Sequence, residues 1–308
     1  MPIRIAIVGY GKIARDQHVP SIEADPGFEL AAVVSPRAPA DAGVPVFLSH
    51  QALLDEMAGK LDAIAICTPP TVRLDVARAA FEAGVDVLLE KPPAATLGEL
   101  EQIERLAAEA GRTLFTAWHS QHAAAVPAAR AALAGKAIRS LRIHWHEDVR
   151  KWHPGQDWIW APGGFGVFDP GINALSIATR ILPRPLFVRE ALLSFPQNRQ
   201  TPIAARLAFQ GEEGQFEADF DWRYTEGERW TIQVETADGV AIELLDGGAR
   251  MSVDGEAQPV KDRGEYPALY ARFAELVEAR RSDVDREPLR IVADALLIGR
   301  REIVEPFL

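Results

Sequence analysis

The 308-residue chain contains a single cysteine, Cys67, so it cannot form an intrachain disulfide, and the apolar run around it predicts a core position. No uninterrupted apolar stretch approaches the ~20 residues that a membrane-spanning helix needs, and the first residues lack a signal-peptide cleavage site. Basic residues are in deficit, with 33 Lys and Arg against 44 Asp and Glu and a net charge of -11. Broad nucleic-acid binding relies on clustered Lys and Arg. These absences predict a soluble, cytoplasmic protein that binds neither nucleic acid nor membrane.

Hydrophobic residues make up 48% of the chain, which is enough for substantial cores. Over the first 120 residues, apolar runs typical of buried strands alternate with segments of helical spacing. This alternation indicates a parallel sheet covered by helices on both faces, a doubly wound α/β domain over residues 1–121. The predicted strands are 3–8, 28–34, 46–47, 62–67, 85–89 and 113–116, and the predicted helices are 13–22, 51–57, 71–83 and one that opens at Thr96.

The pattern changes after residue 122. Period-two alternation over 140–146 and several strand-like stretches between 186 and 260, separated by turn signals, favour a large, mostly antiparallel open sheet. Helices are predicted over 124–134, 169–181, 266–279 and 288–304. Residues 122–308 are therefore predicted to form a second, α+β domain.

A glycine-rich loop, Gly9-Tyr10-Gly11-Lys12-Ile13-Ala14, follows the first strand and opens a helix. It matches the dinucleotide-binding pattern, in which the first glycine allows a tight turn, the second lets the backbone approach a pyrophosphate, and the third position packs closely. The alternative is a purely structural turn. The loop predicts binding of NAD or NADP, with Lys12 and Ile13 beside the phosphates.

The end of the second strand lacks the acidic residue that usually bonds the ribose 2′-hydroxyl of NAD. Ser35 and Arg37 stand there instead and suit a 2′-phosphate, so NADP is expected to be accepted, with NAD left open as a second cofactor. The alternative for Arg37 is a solvated loop residue. Thr68-Pro69-Pro70 follows a later buried strand and is expected beside the cofactor, although the prolines could simply end the strand.

Lys91 follows Glu90 directly after a buried strand, and Asp169 follows a glycine-rich passage. A cofactor site, a cation near the reacting oxygen and a proton acceptor together suit hydride transfer from an alcohol. The alternatives are a surface lysine at a strand end and, for Asp169, a helix N-cap. Glu90 and Lys91 are also predicted to bind the cofactor, and the Lys91-Pro92 bond is a candidate cis peptide.

These motifs, in this order and spacing, resemble the glucose-fructose oxidoreductase / inositol dehydrogenase family over essentially the whole chain. The resemblance implies a Rossmann domain, an open-faced α/β domain, pyranose-like substrates, Lys91 as the catalytic lysine and Asp169 as the family's aspartate. The family often has a histidine four residues after that aspartate, where this chain has Asn173. Longer strings, including Phe168-Asp169-Pro170-Gly171-Ile172-Asn173, resemble the aldose 1-dehydrogenase branch, which oxidises sugars such as D-galactose and L-arabinose at C1.

An anomeric hydroxyl is more acidic than an ordinary alcohol, so its oxidation asks less of a general base. The hypothesis is that Asp169 accepts the hydroxyl proton, Lys91 orients the hydroxyl and lowers its pKa, and Asn173 bonds a sugar oxygen while hydride leaves C1 for the nicotinamide. The expected product is an aldonolactone. D-galactose, D-fucose and L-arabinose share their ring hydroxyl arrangement, so overlapping specificity is expected.

Further polar and aromatic residues are candidate sugar contacts: His119, Glu147, Asp148, Trp152, His153 and, at the pocket edge, Trp230. A metal site is an alternative for the group His144, His146, Glu147 and His153. Since His144 and His146 share one face of the strand and Glu147 lies on the other, these side chains do not converge simply. No metal site is predicted.

Two other functions stay open. One is oxidation at a ring carbon, as in inositol dehydrogenases, and the other is a non-catalytic, dinucleotide-dependent regulator. The resemblance further implies self-association through the exposed face of the second sheet, with a homodimer as one outcome.

Overall fold

The computed structural model describes residues 1–37, 42–211 and 215–308. Within these ranges the chain divides into two compact units. Unit 1 comprises Met1–Trp118 and Tyr266–Arg286, and unit 2 comprises His119–Glu265 and Glu287–Leu308. The segment Tyr266–Arg286 therefore groups with unit 1, although it lies inside the predicted second domain, 122–308. Across the described residues, no helix is both long and apolar enough to cross a membrane.

Unit 1 is built on a parallel sheet, which has six strands in the described residues. In the order β3-β2-β1-β4-β5-β6, every neighbouring pair runs parallel. The strands are β1 (Ile3–Val8), β2 (Phe28–Val34), β3 (Val46–Phe47), β4 (Ala63–Ile66), β5 (Asp86–Glu90) and β6 (Leu114–Ala117). The helices are α1 (Val19–Ala24), α2 (His50–Glu56), α3 (Arg73–Glu82), α4 (Leu97–Ala110) and α8 (Glu265–Ala279). The predicted doubly wound sheet is confirmed, with its strand order reversing between β1 and β4.

A local sequence signal explains the start of helix α4 in unit 1. The Thr96 hydroxyl accepts a hydrogen bond from the Glu99 amide at 3.2 Å, and the Glu99 carboxylate accepts one from the Thr96 amide at 3.2 Å. This capping box satisfies two amides that a helix start leaves unpaired. The helix predicted over 13–22 also forms, but Ala14–His18 is a π-helical turn that runs into α1 and buries His18 completely.

Unit 2 is built on a mixed sheet with the order β14-β13-β12-β11-β7-β10-β9-β8-β15 among its described strands. The pairs β7–β10 and β8–β15 are parallel and the other pairs are antiparallel, which confirms a mostly antiparallel sheet. The strands are β7 (Ile138–His146), β8 (Val188–Pro196), β9 (Ala204–Phe209), β10 (Phe216–Asp221), β11 (Arg229–Thr236), β12 (Ala241–Leu245), β13 (Arg250–Val253), β14 (Glu256–Gln258) and β15 (Arg300–Val304). The helices are α5 (Val126–Leu133), α6 (Val149–Trp152), α7 (Phe168–Ile181) and α9 (Glu287–Ile298).

The helix predicted over 288–304 was wrong over its last six residues, 299–304. Helix α9 ends at Ile298, and Arg300–Val304 is an edge strand that pairs parallel with β8. Gly299 separates them because a Cβ there would lie 2.4 Å from the Ala295 carbonyl oxygen. An edge strand of five residues is too short for its periodicity to differ clearly from a continued helix.

Helix α7 is buried along most of its length and packs on the sheet of unit 2. A Cβ on Gly171 would lie 3.2 Å from the Phe220 ring, so glycine lets the helix approach β10 closely. The Phe168 and Phe220 rings meet edge to face with centroids 5.9 Å apart. These contacts fix the first turn of α7, which carries Asp169.

Candidate active site

The glycine-rich loop connects β1 to the helical segment at the carboxyl edge of the unit 1 sheet. Gly9 has φ +99°, and a Cβ on it would lie 2.8 Å from the backbone of Cys67 and Thr68. Only glycine therefore lets β1 and β4 end so close together. At Gly11 no heavy atom of the described residues, apart from its chain neighbours, lies within 4 Å of the position that a Cβ would occupy, and Ala14 is fully buried. An open backbone at Gly11 over a closely packed Ala14 fits a dinucleotide pyrophosphate.

Other predicted cofactor residues lie at the same edge. Ser35, at the end of β2, is buried, and its Oγ accepts a hydrogen bond from the Arg37 amide at 3.4 Å. Thr68 Oγ1, beyond the end of β4, is buried and has no hydrogen-bond partner among the described residues. A buried hydroxyl without a partner suits a ligand group at this edge. The Lys12 side chain instead pairs with the exposed Asp16 one turn on.

Lys91 follows β5 at this edge, and the Lys91-Pro92 peptide is cis. The Lys91 amide donates to Glu90 Oε2 at 2.7 Å. Glu90 itself is 2% exposed, so its carboxylate lies inside unit 1. Its predicted role in cofactor binding stays a prediction.

The sequence did not single out Arg73, His18, Tyr266 or Tyr270, all of which are buried around this segment. His18 stands four residues beyond Ala14, the last residue of the glycine-rich loop, and the two tyrosines stand four apart on α8. Their common signal is a polar group at an otherwise apolar face. Such a group becomes recognisable only when the fold shows what lies opposite.

Asp169 lies in the first turn of α7 and is 3% exposed. The helix begins at Phe168 with Val167 as its N-cap, so Asp169 is not the N-cap. Its carboxylate is 3.6 Å from His153 Nε2. A helix N-terminus favours negative charge, so the first turn of α7 is a suitable place for a carboxylate. Asn173 stands one turn further along the same helix and is partly buried.

Glu147 is the second buried carboxylate of unit 2, at 3% exposure. One of its oxygens accepts from Trp222 Nε1 at 3.2 Å and the other from Trp230 Nε1 at 3.0 Å. His153 Nε2 is 4.0 Å from Glu147, so His153 stands between the two carboxylates. The structure thus brings together three of the predicted sugar-binding residues.

An aromatic wall adjoins this polar cluster. Trp230 stacks on Trp145 with centroids 5.5 Å apart and contacts Trp152 at 5.4 Å. Trp152 is 38% exposed, and its indole donates to Glu228 at 3.2 Å. Convergent polar groups beside exposed indole surface are suited to a sugar ring, which has hydroxyls at its rim and apolar C–H faces.

Two other predicted contacts have different surroundings. Asp148 caps α6 by accepting from the Arg150 amide at 2.9 Å, which gives this carboxylate a structural task. His119 Nδ1 lies 2.5 Å from Glu265 Oε2. The predicted role of His119 in substrate binding stays a prediction.

His144 and His146 share one face of β7, as their spacing predicts, with ring centroids 5.7 Å apart. Burial, followed by the charges of Arg229 and His146, lowers the pKa of His144. His146 Nε2 lies 3.5 Å from Asp219. Over the part of the chain that the structure describes, no group of three His, Cys, Asp or Glu side chains is placed to hold a metal ion.

Comparison with known proteins extends over the whole chain. Residues 3–118 match the Gfo/Idh/MocA family, described as an oxidoreductase family with an NAD-binding Rossmann fold. The chain is 48% identical to galactose 1-dehydrogenase of Pseudomonas fluorescens over 308 residues, which covers 99% of each protein. Unit 1 is therefore the dinucleotide-binding unit, with NAD or NADP as cofactor.

Two solved structures resemble this chain over its whole length. The crystal structure of D-galactose-1-dehydrogenase from Rhizobium etli superposes with a TM-score of 0.92 at 50% identity, covering 100% of this chain and 98% of that one. A 3-ketoreductase from Actinomadura kijaniata, solved with NADP and TDP-benzene, has a TM-score of 0.83 at 18% identity, covering 99% and 100%. The second similarity shows the fold alone.

Proposed function

The chain belongs to the glucose-fructose oxidoreductase / inositol dehydrogenase (Gfo/Idh/MocA) family, and from that premise we propose that it oxidises an aldopyranose of the D-galactose type at C1 to the aldonolactone. The 48% identity to a galactose 1-dehydrogenase along the full length supports this substrate class. In the structure, the supporting observation is the unit 2 cluster of Asp169, His153 and Glu147 beside exposed indole surface.

Gly9, Gly11, Thr68 and the segment of Ser35 and Arg37 would hold the cofactor at the carboxyl edge of unit 1. When bound, its nicotinamide supplies the acceptor for the hydride that C1 loses. Arg37 is the proposed partner of a 2′-phosphate, because a guanidinium binds phosphate oxygens through paired N–H groups. We therefore propose that NADP is accepted.

Asp169 is the proposed acceptor of the anomeric hydroxyl proton. Its Oδ2 is 3.6 Å from His153 Nε2, so an imidazole stands beside the carboxylate although position 173 is asparagine. Lys91 is the proposed cation that orients the same hydroxyl and lowers its pKa. Loss of the hydroxyl proton to Asp169 and of hydride from C1 to the nicotinamide leaves the C1 carbonyl of the lactone.

Glu147, His153 and Asn173 are the proposed acceptors and donors for the sugar hydroxyls, with Trp152 and Trp230 as the apolar wall. A pocket that hydrogen-bonds the ring hydroxyls accepts D-galactose, D-fucose and L-arabinose alike, because the three sugars share the arrangement of these hydroxyls. Discrimination among them requires contacts with the substituent at position five. A methylene-scale difference there changes discrimination by only ~1–3 kcal/mol.

The test is reduction of NADP and NAD by the purified protein with D-galactose, L-arabinose, D-glucose and myo-inositol, followed by identification of the product. Turnover of the first two sugars to lactone supports the proposal, and Lys91→Ala and Asp169→Ala are expected to abolish it. An inosose or ketose product would instead mean oxidation at a ring carbon. Cofactor binding without turnover of any sugar would mean a regulatory binder.

We further propose a homodimer formed through the outer face of the unit 2 sheet, with the cytoplasm as its location. This face is polar and paired within itself, with Arg142 3.3 Å from Glu217 and His146 3.5 Å from Asp219. Light scattering coupled to size-exclusion chromatography measures the mass directly, and a monomer at working concentration would contradict the proposal.

A further inference from the structure

A cluster of buried polar residues in unit 1 contacts the main chain at Lys91. It consists of His18, Glu90, Tyr266 and Tyr270 and is named here the Glu90 cluster. None of the four residues is more than 4% exposed. They come from the π-helical turn, the end of β5 and helix α8, so three separate elements place polar side chains at one point.

The Glu90 carboxylate is the centre of this cluster. Oε1 accepts from the Tyr266 hydroxyl at 2.5 Å and lies 3.2 Å from His18 Nε2, while Oε2 accepts from the Lys91 amide at 2.7 Å. His18 Nδ1 lies 2.7 Å from the Tyr270 hydroxyl. Both carboxylate oxygens are thus engaged, one by the interior and the other by the Lys91 main chain.

The charges of the cluster support this arrangement. Burial alone lowers the pKa of His18, but Cys67, Tyr270 and Glu90 outweigh it, so the pKa is raised well above 6.5. Burial raises the pKa of Tyr270 to about 12, which keeps its hydroxyl neutral. A raised pKa favours the imidazolium form of His18, whose two ring nitrogens both donate, and the groups opposite them are the Glu90 carboxylate and the Tyr270 hydroxyl.

Arg73 holds the same segment from another side. Its guanidinium donates to the carbonyls of Glu90 and Pro92, which flank Lys91, and to the Thr68 carbonyl at 2.7 and 2.9 Å. Arg73 is 3% exposed. The main chain on both sides of Lys91 is therefore fixed by buried, charged side chains.

We propose that Glu90 is a positioning residue for Lys91. It is held by His18 and Tyr266 through one oxygen, and it fixes the Lys91 amide through the other. The effect on turnover rests on the proposed function of the Lys91 ammonium, whereas the fixing of the main chain does not.

Glu90→Gln is the decisive substitution because it changes only charge and hydrogen-bonding capacity. Three donors converge on the carboxylate, and a glutamine amide offers one acceptor oxygen and one donor group. At least one of the three donors then meets an N–H group and moves away. A catalytic group displaced by about 1 Å can cost up to ~10²-fold in rate.

The matched control is Asp86→Asn. Asp86 begins the same strand that Glu90 ends, is 7% exposed, and accepts from the Thr113 amide at 2.8 Å. It stands at the opposite edge of the sheet from Lys91. Both substitutions thus neutralise a buried carboxylate of β5, and only one touches Lys91.

With D-galactose and NADP, Glu90→Gln is expected to lower kcat by about 10- to 100-fold, with KM and the Kd for NADP within about threefold of the parent. Asp86→Asn is expected to keep kcat within about twofold. Tyr266→Phe, which removes one donor and keeps the charge, is expected to fall between them, and it serves if Glu90→Gln does not fold. An unchanged kcat in Glu90→Gln, or an equal loss in Asp86→Asn, would overturn the proposal.

Amide hydrogen exchange of the segment 87–91 separates this inference from the proposed function. Glu90→Gln or Tyr266→Phe is expected to speed exchange there relative to both the parent and Asp86→Asn, whatever the substrate. Faster exchange in a protein whose parent turns over no sugar would leave the positioning standing and overturn the proposed function. Unchanged exchange would overturn the positioning, even if the parent oxidises galactose.

Discussion

Replacing Gly9 by alanine is expected to destabilise unit 1 by about 3 kcal/mol, as the sum of two costs. The backbone at Gly9 has φ +99°, where a residue with a Cβ is strained by ~1–3 kcal/mol. The added Cβ would also lie 2.8 Å from the Cys67 carbonyl carbon and the Thr68 nitrogen. These are backbone atoms, so no side-chain rotation relieves the contact, and overpacking of this kind costs ~1–3 kcal/mol.

For a unit of this size, about 3 kcal/mol lowers the melting temperature by roughly 6–12 °C, measured by calorimetry without cofactor. Gly11→Ala is the matched control, since its Cβ position has no heavy atom within 4 Å in the described part of the chain beyond its sequence neighbours, and its φ needs no glycine. It is expected to change the melting temperature by less than about 2 °C and yet to weaken NADP binding at least about tenfold, because a methyl group blocks the pyrophosphate. A Gly9→Ala protein that melts with the parent, or a Gly11→Ala protein that binds NADP normally, would refute the reasoning.

Three further outcomes are expected. Arg37→Ala should weaken NADP binding by about tenfold or more and leave NAD binding nearly unchanged, because one charge-assisted contact to the 2′-phosphate is worth ~1.5–3 kcal/mol. Equal losses of affinity for both cofactors would contradict the assignment of Arg37 to the 2′-phosphate. Since the folded pKa of His18 is raised, its contribution to stability is complete below about pH 6.5 and is lost as the pH rises through the folded value. The difference in unfolding free energy between the parent and His18→Gln should therefore shrink as the pH rises from 6.5, and a constant difference would contradict the charge of His18. Glu147→Gln leaves one of the two indole N–H donors facing an amide N–H, so it should lower the free energy of unfolding by ~1–3 kcal/mol and raise the KM for D-galactose. Chemical denaturation measures the stability and initial rates measure the KM. An unchanged KM would remove Glu147 from the sugar site.

The fold of unit 1 was predictable because its signals are local. Continuous apolar strands, a capping box at Thr96 and a glycine loop after the first strand each act over a few residues. The boundary of the unit in the sequence could not be predicted from local signals. Helix α8 reads as an ordinary amphipathic helix, and nothing in its periodicity says which sheet its apolar face covers. Its Tyr266 and Tyr270 belong to the first unit although they lie, in sequence, between the two segments of the second.

The candidate site was likewise predictable only in part. Asp169, Glu147 and His153 were predicted separately as polar residues in suggestive surroundings, and the fold of unit 2 brings both carboxylates within 4.0 Å of His153 Nε2. The hydrogen bonds of Arg73 and of the Glu90 cluster were not predicted, because many of their partners are far apart in sequence, from 17 positions between Arg73 and Glu90 to 252 between His18 and Tyr270. The β15 strand was missed for a similar reason, since pairing with β8 and not local periodicity makes it a strand.

Oxidation at C1 is the central claim, and D-galactose carrying deuterium at C1 tests it most directly. With this sugar and NADP, the expected result is reduced cofactor one mass unit heavier and a lactone without deuterium, with no such product from Asp169→Ala. Unlabelled reduced cofactor together with deuterium retained in the oxidised sugar would contradict the claim, because the hydride would then have come from another carbon.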